Sequence, residues 1–388
     1  MVQTLKIGII GGGIGGLTTA IALQRAGYQV TVFETLPEIR TLGSGIVLAA
    51  NAIKALEQIG IAPQIIAAGK ALRWATILDH KGNPISETDT FALSEKYTTT
   101  NFAIHRADLQ RILIGELQAN TLQLDKKCTD IQAADGRVYL SFADKSEYEF
   151  DAVIASDGTR SFTRRRIFDE IEPKYAGYGC WRATINVPAA LADKYDWTRF
   201  SETWSTKGRF GIVPLLDNRI YWYACLNAPT AQSLKQFTVT DLLRQFLNHH
   251  APIPDIIEAT PPEALIYRGI NDLPPLETWT KDHILLLGDA AHATTPNLGQ
   301  GACQAIEDAL VLRNCLQKEN TVQKAFFLFE TRRRDRTEKV QRLSRRIGAL
   351  AQLESNSLAY MRNVTLRAVP ASVNEKQLRF LFEVDFEV

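Results

Sequence analysis

Asp289 lies in a stretch, Gly288-Asp289-Ala290-Ala291-His292-Ala293-Thr294-Thr295-Pro296-Asn297-Leu298-Gly299-Gln300-Gly301-Ala302, whose residue types suit a polyhydroxylated ligand. The apolar run from Ile284 to Leu287 predicts a buried strand that delivers Gly288 and Asp289 to its end. A carboxylate there accepts hydrogen bonds from hydroxyls such as those of a flavin's ribityl chain. Pro296 cannot continue a helix, and Gly299 and Gly301 let backbone N–H groups approach a ligand as the next helix opens. Pro296, Gly299, Gln300, Gly301 and Ala302 are therefore expected along a flavin ring. His292 is read as packing this loop, in preference to acting as a base beside the ring.

A second constellation lies near residue 10. The apolar run Ile7 to Ile10 leads into Gly11-Gly12-Gly13-Ile14-Gly15-Gly16, then an amphipathic segment ending near Gly27, then a strand from Val30 to Phe33 that stops at Glu34. Gly11 permits a tight turn, Gly13 lets backbone approach a pyrophosphate, and Gly16 lets helix pack on strand. Ile14 and Gly15 lie at the helix N-terminus, which offers N–H groups and partial positive charge to an anion. Glu34 follows Gly16 by 18 residues, about where an acid holds an adenosine ribose. Strand before, helix after and acid at that distance predict a dinucleotide-binding βαβ unit of Rossmann type.

Composition bounds what else the chain can be. With 388 residues, 45% hydrophobic and 22% charged, it is long enough for two units with substantial cores. A formal charge of +1 supplies no global field for nucleic acid. No apolar run reaches the roughly 18 residues of a spanning helix, and the first strand is entered without a signal peptide, so a cytoplasmic location is expected. Cysteines 128, 180, 225, 303 and 315 form no C-x-x-C and no metal spacing, which argues against a metal site and against a flavin disulfide reductase.

The elements that must position these residues are interleaved. An α/β fold is expected, with a Rossmann-type nucleotide-binding domain from residues 1–75, 103–173 and 269–317. A mixed-sheet substrate domain comes from 76–102 and 174–268, and a C-terminal helical segment and tail from 318–388. Within the first, the loop Leu42-Gly43-Ser44-Gly45-Ile46 precedes a helix over Asn51 to Ile59, and His105-Arg106-Ala107-Asp108-Leu109 opens a helix to about Leu117. Strands over Leu122 to Phe150 turn at Asp135-Gly136, and Ala152 to Ala155 ends in Ser156-Asp157-Gly158. From Lys174 to Arg268 the pattern is alternating and aromatic-rich, a sheet roofing the ligand, mostly core, with one helix at Val239 to Asn248. Trp181 and Arg182 lie on a strand able to face the pocket, and helices are expected at 301–317 and 321–350. The basic run Arg332-Arg333-Arg334 with Arg336 reads as a solvated helix face, and Leu378, Phe380, Phe382, Val384 and Phe386 as an edge strand or docked tail.

Taken together, Gly11 to Gly16, Ser156-Asp157-Gly158 with Ser161 and Arg164, and Gly288-Asp289 through Gly301 resemble the three motifs of the single-component FAD-dependent aromatic hydroxylases, the group A flavoprotein monooxygenases. That family includes para-hydroxybenzoate, salicylate and urate hydroxylases, and the run Thr294 to Gly301 followed by Glu307-Asp308-Ala309 is most similar to the FAD-dependent urate hydroxylase branch. The resemblance implies a para-hydroxybenzoate hydroxylase-like fold, tightly but non-covalently bound FAD, and transient NAD(P)H. It implies hydroxylation of a small aromatic or heteroaromatic substrate with O2 through a flavin C4a-hydroperoxide, by a monomer or homodimer without nucleic-acid partners. By the same resemblance Arg106 meets the FAD pyrophosphate region, Asp289 the ribityl chain, Glu34 the ribose, Cys128 the adenine through its backbone, and Asp157 the FAD fold and the nicotinamide. Gly45 and Ile46 are expected along the isoalloxazine. Arg209 and Tyr221 fall where urate hydroxylase has an arginine and a tyrosine at its substrate, which makes them the candidate catalytic pair.

Each of these has a plainer reading. Arg209 is otherwise a surface ion pair, Tyr221 a core residue, and Arg164 a partner within the fold. Rival functions on the same fold are a tetracycline-inactivating or alkene-epoxidising monooxygenase. From other classes come an oxygen-independent flavin reductase and a non-catalytic FAD-binding protein.

Overall fold

The computed structural model describes residues 5–39, 44–92, 100–168, 171–370 and 379–388. Leu42, Gly43 and Leu378 of the expectations above lie outside these. A six-stranded sheet runs in the order Thr280–Lys281, Ile284–Leu286, Ala152–Ala155, Lys6–Ile10, Gln29–Phe33, Leu122–Gln123. All its pairings are parallel except the outer one of Thr280–Lys281 with Ile284–Leu286. Parallel strands are covered on both faces, which is why Ile7, Ile9, Ala152, Ile154, Leu285 and Leu286 are all buried without polar alternation. The helix Ile14–Arg25 follows the first strand, and Gly301–Lys318 packs on it so closely that a Cβ on Gly15 would come within 3.2 Å of the Ala305 Cβ.

A seven-stranded sheet stands opposite, in the order Ile266–Asp272, Lys174–Asn186, Arg219–Asn227, Gly208–Pro214, Arg199–Ser205, Trp74–Asp79, Pro84–Asp89. It is antiparallel except where Arg199–Ser205 meets Trp74–Asp79. Period-two alternation divides its residues. Trp181, Phe210, Ile212, Ile220 and Trp222 enter a core closed by the helices Val239–Phe246 and Ile253–Glu258, while Cys180, Arg182, Glu202, Arg209, Tyr221 and Tyr223 line a cavity on the other face. Trp181 is therefore core and Arg182 faces the cavity.

Two small sheets complete the frame: the antiparallel Glu147–Phe150, Arg137–Phe142 and Cys128–Ala134, and Gly45–Leu48 with Phe102–His105 and Lys70–Ala71. The strand Ile266–Asp272 crosses the expected boundary at 268/269, because its pairing with Lys174–Asn186 continues to Asp272. After the last parallel strand come helices Gly301–Lys318, Val322–Ala351 and Asn356–Ala368. The tail alternation does not make a strand. Residues 379–382 are helical, and Phe386 docks in the main core. Among the described residues, no helix is long and apolar enough to cross a membrane.

Candidate active site

The cavity between the two large sheets holds about 1180 Å³. It brings together Gly13, Ile14, Gly15, Gly45, Ile46, Arg106, Asp289, Pro296, Gly299, Gln300, Gly301 and Ala302 with Arg209 and Tyr221. Gly11, Gly16, Glu34, Cys128 and Asp157 are outside its lining. Gly11 and Gly16 shape the loop behind it. Gly11 has φ +108° and a Cβ there would lie 2.4 Å from the Ser156 carbonyl, while one on Gly16 would lie 2.0 Å from the Gly11 carbonyl. Glu34 accepts from the backbone N–H of Gly12 at 2.8 Å and of Leu36 at 2.9 Å, holding the turn from below. One oxygen of Asp157 accepts from Thr163 N–H and Oγ1 at 3.0 and 3.1 Å, and the other is buried without a protein partner. Cys128 begins the strand Cys128–Ala134, beside Phe33, Phe142 and Phe150.

Two helix N-termini open into this one space. Neither Ile14–Arg25 nor Gly301–Lys318 has a capping side chain or an acid in its first turn, so their first N–H groups are left for a ligand. A Cβ on Gly13 or Gly299 would meet nothing within 4 Å, which marks empty cradle against both turns. Asp289 projects between them, its one described hydrogen bond a long 3.4 Å from Thr159 Oγ1. Arg106, the first residue of its helix, has its guanidinium's ordinary value lowered by burial and by the nearby charges of Arg182 and Arg268, against the attraction of Asp289. Two anion-binding turns, one arginine and one hydroxyl-accepting carboxylate along a single cavity fit the pyrophosphate, ribityl chain and ring of FAD. Gln300 also lines this cavity. Its side-chain oxygen is occupied by Asn51 at 2.9 Å and Gln304 at 3.0 Å.

Behind this floor lies a buried ionic cluster that sequence reasoning placed in solvent. Arg333 is 2% exposed and binds Glu307 at 2.5 Å and Asp308 at 2.7 Å; Arg336 binds Glu307 at 2.7 Å. The basic run is thus half interior, because Glu307 and Asp308 face it from the neighbouring helix. His292 Nε2 meets Asp308 Oδ2 at 2.7 Å, the same oxygen that accepts the Gly288 N–H at 3.0 Å, so the packing role expected for His292 holds. Burial alone would raise the Asp308 carboxyl; the charges of His292 and Arg333 overcome it and hold the group at about 2. Arg164 likewise turns inward, donating to the carbonyls of Ile171, Ala290 and Thr159.

The roof is built from side chains. Arg209 is no surface pair. It binds Glu202 at 3.1 Å, Gln352 at 2.9 Å and Asn297 at 2.8 Å, with its guanidinium carbon 5.4 Å from the Tyr178 ring centre. Three of its five N–H groups are thereby used, and it straps the roof to the loop of Pro296 and to the end of the long helix. Tyr221 packs its ring over Gly45, where a Cβ would come within 2.6 Å. Burial raises its phenol well above the ordinary value, against the pull of Arg182, so Tyr221 Oη remains a hydrogen-bond donor across the whole working range. Tyr223, Arg182, Cys180, Cys225 and Glu202 share this face. The signal that could have found Tyr223 and Cys225 is their period-two spacing from Tyr221. Leu72, Trp74, Ile77, Phe200, Val213 and Leu366 also line the cavity, with Leu72, Val213 and Phe200 packed in one cluster with Tyr221 and Tyr223.

Residues 4–346 match a family model described as FAD binding domain. The chain is 35% identical to an aurachin C monooxygenase/isomerase of Stigmatella aurantiaca over 94% of each chain. It is 30% identical to a FAD-dependent urate hydroxylase of Klebsiella oxytoca over 86% of each. Among solved structures, Klebsiella pneumoniae HpxO complexed with FAD and uric acid matches with a TM-score of 0.88 at 25% identity, covering 97% of both chains. A salicylate hydroxylase substrate complex, 22% identical with a TM-score of 0.82, shares the fold.

Proposed function

This chain belongs to the FAD binding domain family of flavin monooxygenases, and from that premise we propose that it uses O2 to hydroxylate a heteroaromatic ring carrying an apolar substituent. That it is an FAD-dependent monooxygenase follows from the family and its relatives, and NAD(P)H as reductant is part of the proposal. The observation that carries the substrate reading is the mixed lining of the cavity. Arg182, Tyr221 and Tyr223 offer charge and hydrogen-bonding groups, and Leu72, Trp74, Phe200 and Leu366 offer apolar surface. A ring with an acceptor atom satisfies the first, and only an apolar group gains by covering the second.

Bound FAD would supply hydride acceptance and the activation of oxygen. The protein's share is placement. Backbone N–H groups at Gly13–Gly15 and Gly299–Ala302 and the Arg106 charge would hold the anionic and ring portions, and Asp289 the hydroxyls. Tyr221 Oη would donate to a substrate oxygen or nitrogen, keeping its own proton, and Arg182 would balance negative charge that develops on the ring. The apolar side chains of the lining exclude water. The two N–H groups of Arg209 not spent on Glu202, Gln352 and Asn297 are available to the substrate. A cytoplasmic setting, supported by the five free thiols, and a monomer or homodimer complete the reading.

The test is NAD(P)H oxidation by the yellow protein with oxygen and peroxide followed together. Heteroaromatic acids and alkyl-substituted quinoline- or pyridine-type rings are added singly, with urate as the purely polar comparison. An alkyl-substituted ring should accelerate NAD(P)H oxidation and suppress peroxide per NAD(P)H consumed. Equal coupling by urate would remove the apolar substituent from the proposal. A reduced flavin stable in air would remove the monooxygenase step.

A further inference from the structure

Cys180 and Cys225, distant in sequence, stand directly opposite each other on adjacent antiparallel strands. Opposed residues project on one face of a sheet, and here both thiols line the cavity. Opposed Cα atoms lie about 4.5 or 5.5 Å apart, depending on the hydrogen-bonding phase. A disulfide spans Cα separations of about 4.4–6.8 Å, so both phases fall within the range that an S–S bond can bridge. Both thiols are free.

Their surroundings make them unequal. Arg182 Nε lies 3.3 Å from Cys180 Sγ, and Arg209 stands opposite Cys225 on the next strand. The hydrogen bond from Cys225 lowers the Cys180 thiol from its ordinary value, with the Arg182 charge helping it against burial; the same bond raises Cys225. One sulfur is thus favoured as thiolate while its neighbour keeps a proton. Cys128, Cys303 and Cys315 differ: burial pushes each up to about 12, and none of them lines the cavity.

We propose that Cys180 and Cys225 form a peroxide-reactive dithiol in the cavity wall, with hydrogen peroxide as its oxidant. The Cys180 thiolate attacks one peroxide oxygen; an S–O bond forms as the O–O bond breaks, and the departing hydroxide takes up a proton to leave as water. The Cys225 sulfur then attacks the sulfenic sulfur of Cys180. The S–S bond forms, the S–O bond breaks, and the hydroxyl leaves with the Cys225 proton as a second water. Two electrons pass from the sulfur pair to peroxide. Peroxide formed in the cavity by turnover without substrate would meet this pair on its way to solvent.

The experiment exposes the FAD-loaded protein to short pulses of hydrogen peroxide, unfolds it in a thiol-alkylating reagent, and digests it without reductant. The expected result is a peptide pair joined through Cys180 and Cys225, lighter by two hydrogens and reopened by dithiothreitol. Alkylation at these two sulfurs should be lost at least about tenfold faster than at Cys128, Cys303 and Cys315, because the thiolate is the reacting species. In Cys225→Ser the reaction should stop at a sulfenic acid on Cys180, which dimedone captures. Equal alkylation of all five cysteines through the pulse, a first lesion at Cys303, or a joined pair involving any other cysteine would overturn the proposal.

Discussion

The floor and the roof of the cavity are made of different materials. The floor, under the parallel sheet, offers mostly backbone: two uncapped helix N-termini and empty space against Gly13 and Gly299, with Asp289 and Arg106 as its charged side chains. The roof offers side chains on alternate positions of neighbouring strands, among them Arg182, Arg209, Tyr221 and Tyr223. Backbone N–H groups are the same whatever the residue, so a floor of this kind holds one ligand and changes little by substitution. A roof of side chains changes its chemistry with each replacement. Under the proposed function the floor is the fixed cofactor seat and the roof the adjustable substrate wall.

That contrast sets what substitutions should do. The largest expected effect lies beneath the floor. Arg333→Met leaves Glu307 and Asp308 buried with reduced compensation, which should cost about 3–5 kcal/mol in chemical denaturation, whereas breaking an exposed pair such as Arg244–Asp241 should change stability little. Next, Asp289→Ala should weaken FAD binding by about 1.5–3 kcal/mol, the worth of hydrogen bonds to a charged acceptor, read by flavin fluorescence on dilution. A protein that stays fully yellow would take Asp289 out of the floor.

Acid should act on the same side. Folding lowers the Asp308 carboxyl from 3.8 to about 2, so its contribution is complete above pH 4 and disappears as pH falls through about 2. Lowering the pH across that window should remove about 2 kcal/mol from the unfolding free energy of the wild type. A His292→Gln variant, lacking one of the charges that hold Asp308 down, should lose less over the same window. The smallest effect belongs to the roof. Tyr221→Phe removes one donor and should lower kcat/KM by about 1 kcal/mol, several-fold, with flavin retention unchanged. If it instead released FAD, the division between floor and roof would fail.

The same division explains what could be read from sequence. The glycine turn at Gly11 to Gly16, Glu34 at the next strand's end, and Gly288-Asp289 with its following helix are local patterns, so their positions follow from spacing within single βα units. Arg333 and Arg336 misled because their partners, Glu307 and Asp308, lie on another helix, and a charge run carries no mark of what faces it. Arg209 was visible as an arginine on a strand, but its bonds to Gln352 and Asn297 join three separate segments. Tail alternation from Leu378 to Phe386 fits an edge strand or a docked tail equally, and the structure takes the second: residues 379–382 are helical and Phe386 lies in the main core. Cys180 and Cys225 meet only through strand register.

The chain passes from the parallel sheet to the seven-stranded sheet at Trp74–Asp79, returns by Phe102–His105, crosses again at Lys174–Asn186, and comes back after Ile266–Asp272. No single cut in a gene could therefore lift the roof away and graft another in its place. Diversification of such a protein has to proceed by replacing individual cavity-facing positions along the strands. Descendants that accept new molecules should keep the backbone trace and differ at every second residue of the roof.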